Sequence, residues 1–220
     1  MAHHTLDLIM RVTEIFHSIQ GESTHAGEPC VFVRLTGCPL RCTWCDTDYA
    51  FYGGQELSED EIIARIRAFD CPLVEITGGE PLAQSACMPF VTKLCDAGYR
   101  VLIETSGAID TKPLDRRAHI ILDIKCPGSG MTDRMYWPNV QNLSAKDEAK
   151  FVIADRADYD WACDVINQYQ LAGRCTVLFS PVFGVLELRH LSEWVLADRL
   201  PVRIQTQLHK LIWSPDMRGV

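Results

Sequence analysis

Apolar residues gather in short runs along the chain, and most of these runs close on Gly, Ser, Thr or Pro. Residues 30–37 (CVFVRLTG), 73–79 (LVEITGG), 100–107 (RVLIETSG), 119–127 (HIILDIKCP), 149–154 (AKFVIA), 175–181 (CTVLFSP) and 201–210 (PVRIQTQLHK) have this form. They are rich in Val and Ile, and several do not alternate strictly. That predicts strands of a parallel sheet covered on both faces. Stretches with helical period lie between them. Residues 58–69 open on Ser58 with Glu61 following as the partner of a capping box, worth roughly 1 kcal/mol. Ile62, Ile63, Ile66 and Phe69 predict one apolar stripe on that helix. Residues 86–97 lead to Gly98, residues 155–173 end in Gly173, and residues 186–198 precede Pro201. These are the stop signals expected of helices. Neither a repeat nor a low-complexity segment interrupts the alternation. Strands alternating with helices predict an α/β fold. The strands are too few for a full closed barrel, so the expected architecture is an incomplete β/α barrel of about six parallel strands. A single domain over residues 1–220 is expected. The strand ends then share one rim, where the active sites of parallel α/β folds sit.

Composition narrows the possible functions more than the fold. The chain has 220 residues, of which 47 % are hydrophobic, enough for a sizeable core. It carries 21 Lys and Arg against 29 Asp and Glu, a formal charge of -8. A nucleic-acid partner is not expected, because such a partner needs a basic surface. A small anionic substrate held by a few local cations remains open. No apolar run approaches the roughly 18 residues of a membrane span, so no membrane is expected. The start, MAHHTLDLIMRV, lacks the charged region and long apolar region of a signal peptide. His3 and His4 there read as a terminal arm rather than as ligands. Ten cysteines are many for this length. Without an export signal they do not predict a disulfide framework. Cys30, Cys71, Cys87, Cys95, Cys126, Cys163 and Cys175 stand in scattered apolar contexts and read as reduced, buried small hydrophobes. A cytoplasmic protein is expected.

The other three cysteines are different. TGCPLRCTWCD, residues 36–46, places Cys38, Cys42 and Cys45 in a C-x3-C-x2-C spacing directly after the first predicted strand, hence on the rim. Pro39, Arg41, Thr43 and Asp46 make this a poor core segment. A structural zinc site closes with four ligands, and the fourth would have to come from far away. Thiolates suit iron–sulfur ligation. Three cysteines on a [4Fe–4S] cluster would leave one iron open to another ligand.

With that spacing the chain resembles the radical S-adenosylmethionine (SAM) enzymes, in which an aromatic before the last cysteine, here Trp44, is typical. ITGGEP (76–81), at the end of the next predicted strand, resembles their second signature. The resemblance narrows to the 7-carboxy-7-deazaguanine synthase family. It is carried by IFHSIQGES (15–23), CDT (45–47), IETSG (103–107), DIKCP (123–127), the looser FSPVFG (179–184), and QLHK (207–210). The resemblance implies that the open iron chelates SAM, and that an electron from the cluster cleaves SAM to methionine and a 5′-deoxyadenosyl radical. That radical would take a hydrogen from C6 of 6-carboxy-5,6,7,8-tetrahydropterin. The ring would contract to 7-carboxy-7-deazaguanine with loss of ammonia, SAM would be regenerated, and the product would feed queuosine and related 7-deazapurines. Magnesium, an electron donor such as flavodoxin, and a homodimer are implied as well.

Site residues follow from the same resemblance. Cys38, Cys42 and Cys45 would hold the cluster, and Thr47 would offer its hydroxyl to Mg²⁺, a cation that prefers oxygen. Trp44, Asp46, Gly79, Glu104, Ser106, Asp123, Ile124, Lys125, Ser180, Pro181, Val182 and Phe183 would bind SAM. Ile19, Gln20 and Gly21 through their backbone, and Glu22, Arg34, Thr77, His209 and Pro215, would contact the pterin. Arg34 would meet a carboxylate through its fork of donors. The chain runs on past Pro215 as DMRGV, beyond the point where short members of the family end, which leaves the role of Pro215 open. Two other readings share some of these features. A glycyl-radical activating enzyme would have the cysteine triplet and GGE, but gives no reason for QGE, CDT and QLHK together. A non-catalytic iron–sulfur protein would bind the cluster without cleaving SAM.

Overall fold

A computed structural model describes residues 8–220; His3 and His4 lie outside the described residues. The strands are β1 (Ile9–Ile19), β2 (Pro29–Leu35), β3 (Gln55–Ser58), β4 (Leu73–Gly78), β5 (Arg100–Thr105), β6 (His119–Ile124), β7 (Glu148–Ile153), β8 (Thr176–Pro181) and β9 (Arg203–Ile204). The helices are α1 (Glu59–Arg67), α2 (Cys87–Asp96), α3 (Pro138–Asn142), α4 (Arg156–Tyr169), α5 (Leu188–Asp198) and α6 (Leu208–Ile212). One nine-stranded sheet runs in the order β3-β1-β2-β4-β5-β6-β7-β8-β9. From β2 to β9 every pairing is parallel, as expected of an incomplete β/α barrel. Each crossover between parallel strands carries the chain over the outer face, so all their C-terminal ends point to one rim.

The outer face is apolar. Ile62, Ile63 and Ile66 of α1, Phe90, Val91 and Leu94 of α2, and Val165 and Ile166 of α4 are buried against it. Ser58 caps α1 as its sequence predicts, with both halves of the capping box formed. Phe69 does not complete the α1 stripe: the helix has ended by Arg67, and the ring is 37 % exposed. Gly173 does not end α4 either. Gln170 takes the left-handed conformation (φ 53°), and Gly173 ends a separate short turn.

Two strands are not foreseen by the hydrophobic pattern. β1 pairs antiparallel with β2 on one side and β3 on the other. Its sequence, IMRVTEIFHSI, is half polar, because an antiparallel strand near a sheet edge need not be covered on both faces. The predicted strand 201–210 is also mostly not a strand. Only Arg203–Ile204 pairs, and residues 208–212 turn helical. The segment after β1 returns beneath the barrel. There Leu208 N–H donates to Gly21 O (2.9 Å) and Ser23 N–H to Gln205 Oε1 (2.7 Å). These bonds tie β1 to the region of the opposite sheet edge. No helix among the described residues is long and apolar enough to cross a membrane.

Candidate active site

Inside the curved sheet lies a cavity of about 700 Å³. The inner face that surrounds it is charged where the outer face is apolar. Strand register explains this. Arg34 of β2 stands opposite Thr77 of β4, and Asp123 of β6 opposite Lys150 of β7, so their side chains share one face. The cavity is lined by Cys38, Cys42, Trp44, Cys45, Asp46, Thr47, Gly79, Glu104, Ser106, Asp123, Lys125 and residues 180–183. It is lined as well by residues 19–22, Arg34, Thr77, His209 and Pro215. Ile124 is the one predicted site residue outside this lining: it is fully buried, between two residues that face inward.

The cysteine loop leaves β2 at the rim and is pinned from two sides. Thr43 N–H donates to Ser129 O (3.1 Å), in the loop after β6. On the other side Glu80 N–H donates to Gly37 O (2.8 Å). The glycines before Glu80 make this approach possible. A Cβ on Gly79 would lie 2.4 Å from Gly37 O and 2.7 Å from Cys38 Cβ, and one on Gly78 would lie 2.4 Å from Leu35 O. Their smallness is therefore spent at least partly on the cysteine loop itself. The three cysteines are free thiols, half-buried on the cavity wall, and burial pushes all three up. Among the described residues, no three His, Cys, Asp or Glu side chains converge on a point that a single ion could occupy. Thiolates that each take a different iron of a cluster have no need to converge, so this donor set fits a cluster better than one zinc ion.

Glu80, which sequence reasoning did not single out, holds the second signature to β5. It is fully buried and accepts from Leu82 N–H (2.9 Å), Thr105 Oγ1 (2.9 Å), Ser106 N–H (2.7 Å) and Ser106 Oγ (2.5 Å). The Ser106 hydroxyl proton is thus given to Glu80, which leaves its oxygen only as an acceptor toward a cofactor. Farther along the rim, Asp123 Oδ2 accepts from Lys125 Nζ at 2.7 Å, while its buried Oδ1 has no partner. A buried acceptor left unmet costs about 1–3 kcal/mol. A ligand hydroxyl, such as those of a ribose, would satisfy it, and on this observation the residues fit SAM.

The floor of the cavity carries a charge network centred on Lys150. Its ammonium pairs with Glu22 and, at 2.7 Å, with Glu104. Burial opposes that charge, but the two carboxylates outweigh it and raise the Lys150 pKa. Burial likewise opposes ionisation of Glu104, and Lys150 more than offsets it. Thr77 Oγ1 donates to Glu104 Oε2 at 3.3 Å. An ionisable residue inside an apolar strand, as in AKFVIA and LVEITGG, was the available signal for Lys150 and Glu75. Gln20 does not present its side chain to a ligand. Its Nε2 donates to Glu75 Oε2 (2.5 Å), and its Oε1 accepts from Glu22 N–H (2.5 Å). It braces Glu22 instead. His209 sits on α6 rather than on a strand, against Gly21, where an added Cβ would meet its Nδ1 at 2.5 Å. Burial lowers the His209 pKa, favouring the neutral ring.

At the mouth, Arg34 Nε donates to Glu14 Oε1 (2.7 Å), so one arm of its fork is already taken. Tyr49 OH donates to the same oxygen (2.8 Å). Thr47 Oγ1 donates to Asp46 Oδ1 (2.9 Å), and Asp46 Oδ2 accepts from Lys210 Nζ (2.9 Å) and Gln207 Nε2 (2.8 Å). Desolvation raises the Asp46 carboxyl, but Lys210 and Gln207 outweigh it and hold it below the ordinary carboxylate range. Thr47, Asp46 and Asp48 all line the cavity, and the Thr47 hydroxyl, its proton given to Asp46, keeps oxygen lone pairs of the kind a hard cation takes.

Residues 32–185 match the Radical SAM superfamily. The partial barrel with its cysteine loop on the rim is thus that of a radical SAM enzyme. Within that class the sequence has close relatives. It is 50 % identical over 214 residues to the 7-carboxy-7-deazaguanine synthase of Chlorobaculum tepidum, covering 96 % of this chain and 97 % of the relative. It is 46 % identical to the synthase of Koribacter versatilis (96 % and 100 % covered) and 38 % to that of Thermoplasma acidophilum (96 % and 100 %). The chain belongs to the 7-carboxy-7-deazaguanine synthase family. The crystal structure of QueE from Escherichia coli shares the fold, with a TM-score of 0.77 at 21 % identity, over 91 % of this chain and 95 % of that one.

Proposed function

We propose that this chain is a radical SAM carbon–nitrogen lyase that converts 6-carboxy-5,6,7,8-tetrahydropterin to 7-carboxy-7-deazaguanine with loss of ammonia, in the route to queuosine and related 7-deazapurines. The observation that carries this is one cavity with a cysteine loop at its rim and paired carboxylates on its floor. Bound together, the cluster and SAM supply hydrogen abstraction from the substrate. The chain's residues position the reactants. Cys38, Cys42 and Cys45 hold the cluster. Gly79, Asp123, Lys125 and residues 180–183 receive SAM, with Trp44 and Asp46 beside it. Ile124 contributes through its backbone alone, and Ser106 through Glu80. Glu22, paired with Lys150, accepts from the N–H groups of the pterin, and Glu104, kept ionised by Lys150, helps hold SAM. Thr77 and the neutral His209 flank the ring, and Pro215 closes the outer side. Arg34 and a Mg²⁺ held by Thr47 face the carboxylate end. A single domain over residues 1–220, a homodimer, a cytoplasmic setting and a flavodoxin-like electron donor complete the reading.

The test is anaerobic reconstitution with iron and sulfide, followed by carboxypterin, SAM, Mg²⁺ and a reductant. Formation of 7-carboxy-7-deazaguanine and ammonia, with SAM recovered intact, is the expected result. Cys42→Ala should lose both the cluster absorbance and turnover, whereas Cys95→Ala should keep both. SAM cleavage that ignores the pterin, or stoichiometric SAM consumption during turnover, would overturn the proposal.

A further inference from the structure

The cavity accepts, on the reading above, a substrate with a carboxylate. An anion entering a partly buried site needs a cation that is not already neutralised. Five Lys and Arg residues line this cavity, and four of them are already paired. Arg34 pairs with Glu14, Lys125 with Asp123, Lys150 with Glu22 and Glu104, and Lys210 with Asp46. The fifth is Arg218, on the segment past Pro215, which has no carboxylate within ion-pairing distance among the described residues.

Arg218 is nonetheless placed. Its guanidinium lies over the Tyr49 ring, 4.0 Å from the ring centroid. The hydroxyl of Tyr49 is anchored on Glu14, and the Arg34 guanidinium is 5.9 Å from the same ring. Tyr49 belongs to the short turn Asp48–Ala50 that follows Thr47 directly. Arg218 therefore stands on the wall shared by Thr47 and Arg34. A guanidinium stacked on an aromatic face keeps its in-plane N–H donors free for a planar anion. Arg34, by contrast, has Nε committed to Glu14.

We propose that Arg218 is a specificity-determining residue that receives the carboxylate of the substrate and selects an anionic over a neutral ligand. The C-terminal segment thereby becomes one wall of the binding site. The inference rests on the pterin reading, and it names a residue that this reading does not need.

The experiment compares wild-type holoenzyme with Arg218→Gln and Arg218→Lys. Two measurements are made: steady-state turnover of the carboxypterin, and inhibition by its neutral 6-carboxamide analogue. Arg218→Gln should raise KM for the carboxypterin about tenfold or more with kcat little changed. Its inhibition constant for the carboxamide, cluster content and substrate-free SAM cleavage should match wild type. Arg218→Lys should recover part of the KM. An unchanged KM in Arg218→Gln would overturn the proposal. So would an equal loss for both ligands, which would make the tail a steric wall only. Failure of wild type to turn over carboxypterin would instead remove the functional reading beneath it.

Discussion

Replacing Glu75 by Gln exchanges a carboxyl for an amide of the same shape at a position only 2 % exposed. The bond from Gln20 Nε2 survives, because the new side chain still offers a carbonyl oxygen. What changes is the proton. Burial first, and then the charge of Glu104, push the Glu75 carboxyl up to about 8, from roughly 4.3 in an unfolded chain. The folded protein therefore keeps a proton that the unfolded chain has released. A raised acid of this kind contributes its full stability below the unfolded value and loses it as pH rises through the folded one. The loss runs at about 1.4 kcal/mol per pH unit. Between pH 6 and pH 8 wild type should lose about 2–3 kcal/mol through this group, and Glu75→Gln should lose none of it. Other groups titrate alike in both proteins and cancel in the difference. The assay is anaerobic denaturant unfolding of both holoenzymes at pH 6, 7, 8 and 9. The variant should gain on wild type from pH 6 to pH 8 and hold its gain beyond. A difference that stays flat across this range, or turns against the variant, would refute the account of a neutral, protonated Glu75.

Two other substitutions test how the rim is tied. Glu80→Gln places an amide where four donor groups converge, leaving at least one buried N–H facing another donor; it should cost about 2–4 kcal/mol, read as a fall in melting temperature of roughly 4–16 °C. A variant melting within a degree of wild type would show that the carboxylate is not the anchor. Gly79→Ala drives a methyl to 2.4 Å from Gly37 O, so the cysteine loop must shift; iron content after reconstitution should fall, and SAM affinity should fall at least tenfold. Full iron content with wild-type SAM affinity would mean that the loop yields without cost.

The parallel strands were legible because burial on both faces leaves apolar runs that turn signals punctuate. β2, β4, β5, β7 and β8 each fall within a residue or two of their predicted limits, and β6 stops three residues short of its own. β1 was not, since its Arg11, Glu14 and His17 break the apolar run that marks a covered strand. Residues 201–210 read as a strand from Val202 and Ile204, but only Arg203–Ile204 finds a partner at the sheet edge. The next turn is helical, ordered by the bond from Leu208 to Gly21, a contact between distant parts of the chain that no local pattern carries. The cysteine loop was legible for the opposite reason: its chemistry is written in consecutive spacing.

The remaining site residues divide according to whether their partners are local. Gln20 was read as touching the substrate through its backbone, as part of QGE, which leaves the role of its side chain open. Its side chain is taken up by Glu75, on another strand, and so it supports Glu22 at one remove. Ser106 is engaged by Glu80 in the same way. In both cases a short motif marks a residue near the ligand without saying whether it points at the ligand or at its neighbour. On the floor Glu22 and Glu104 face the single cation Lys150, and on the rim Asp123 takes up Lys125, so neither has a positive charge to spare. Neutral N–H donors of a ligand fit this floor, and its anionic group does not. On the proposed reading the anionic end turns to the mouth, where Thr47, Arg34 and Arg218 stand. The orientation of an anionic ligand in this cavity thus follows from the distribution of paired and unpaired charge along its wall.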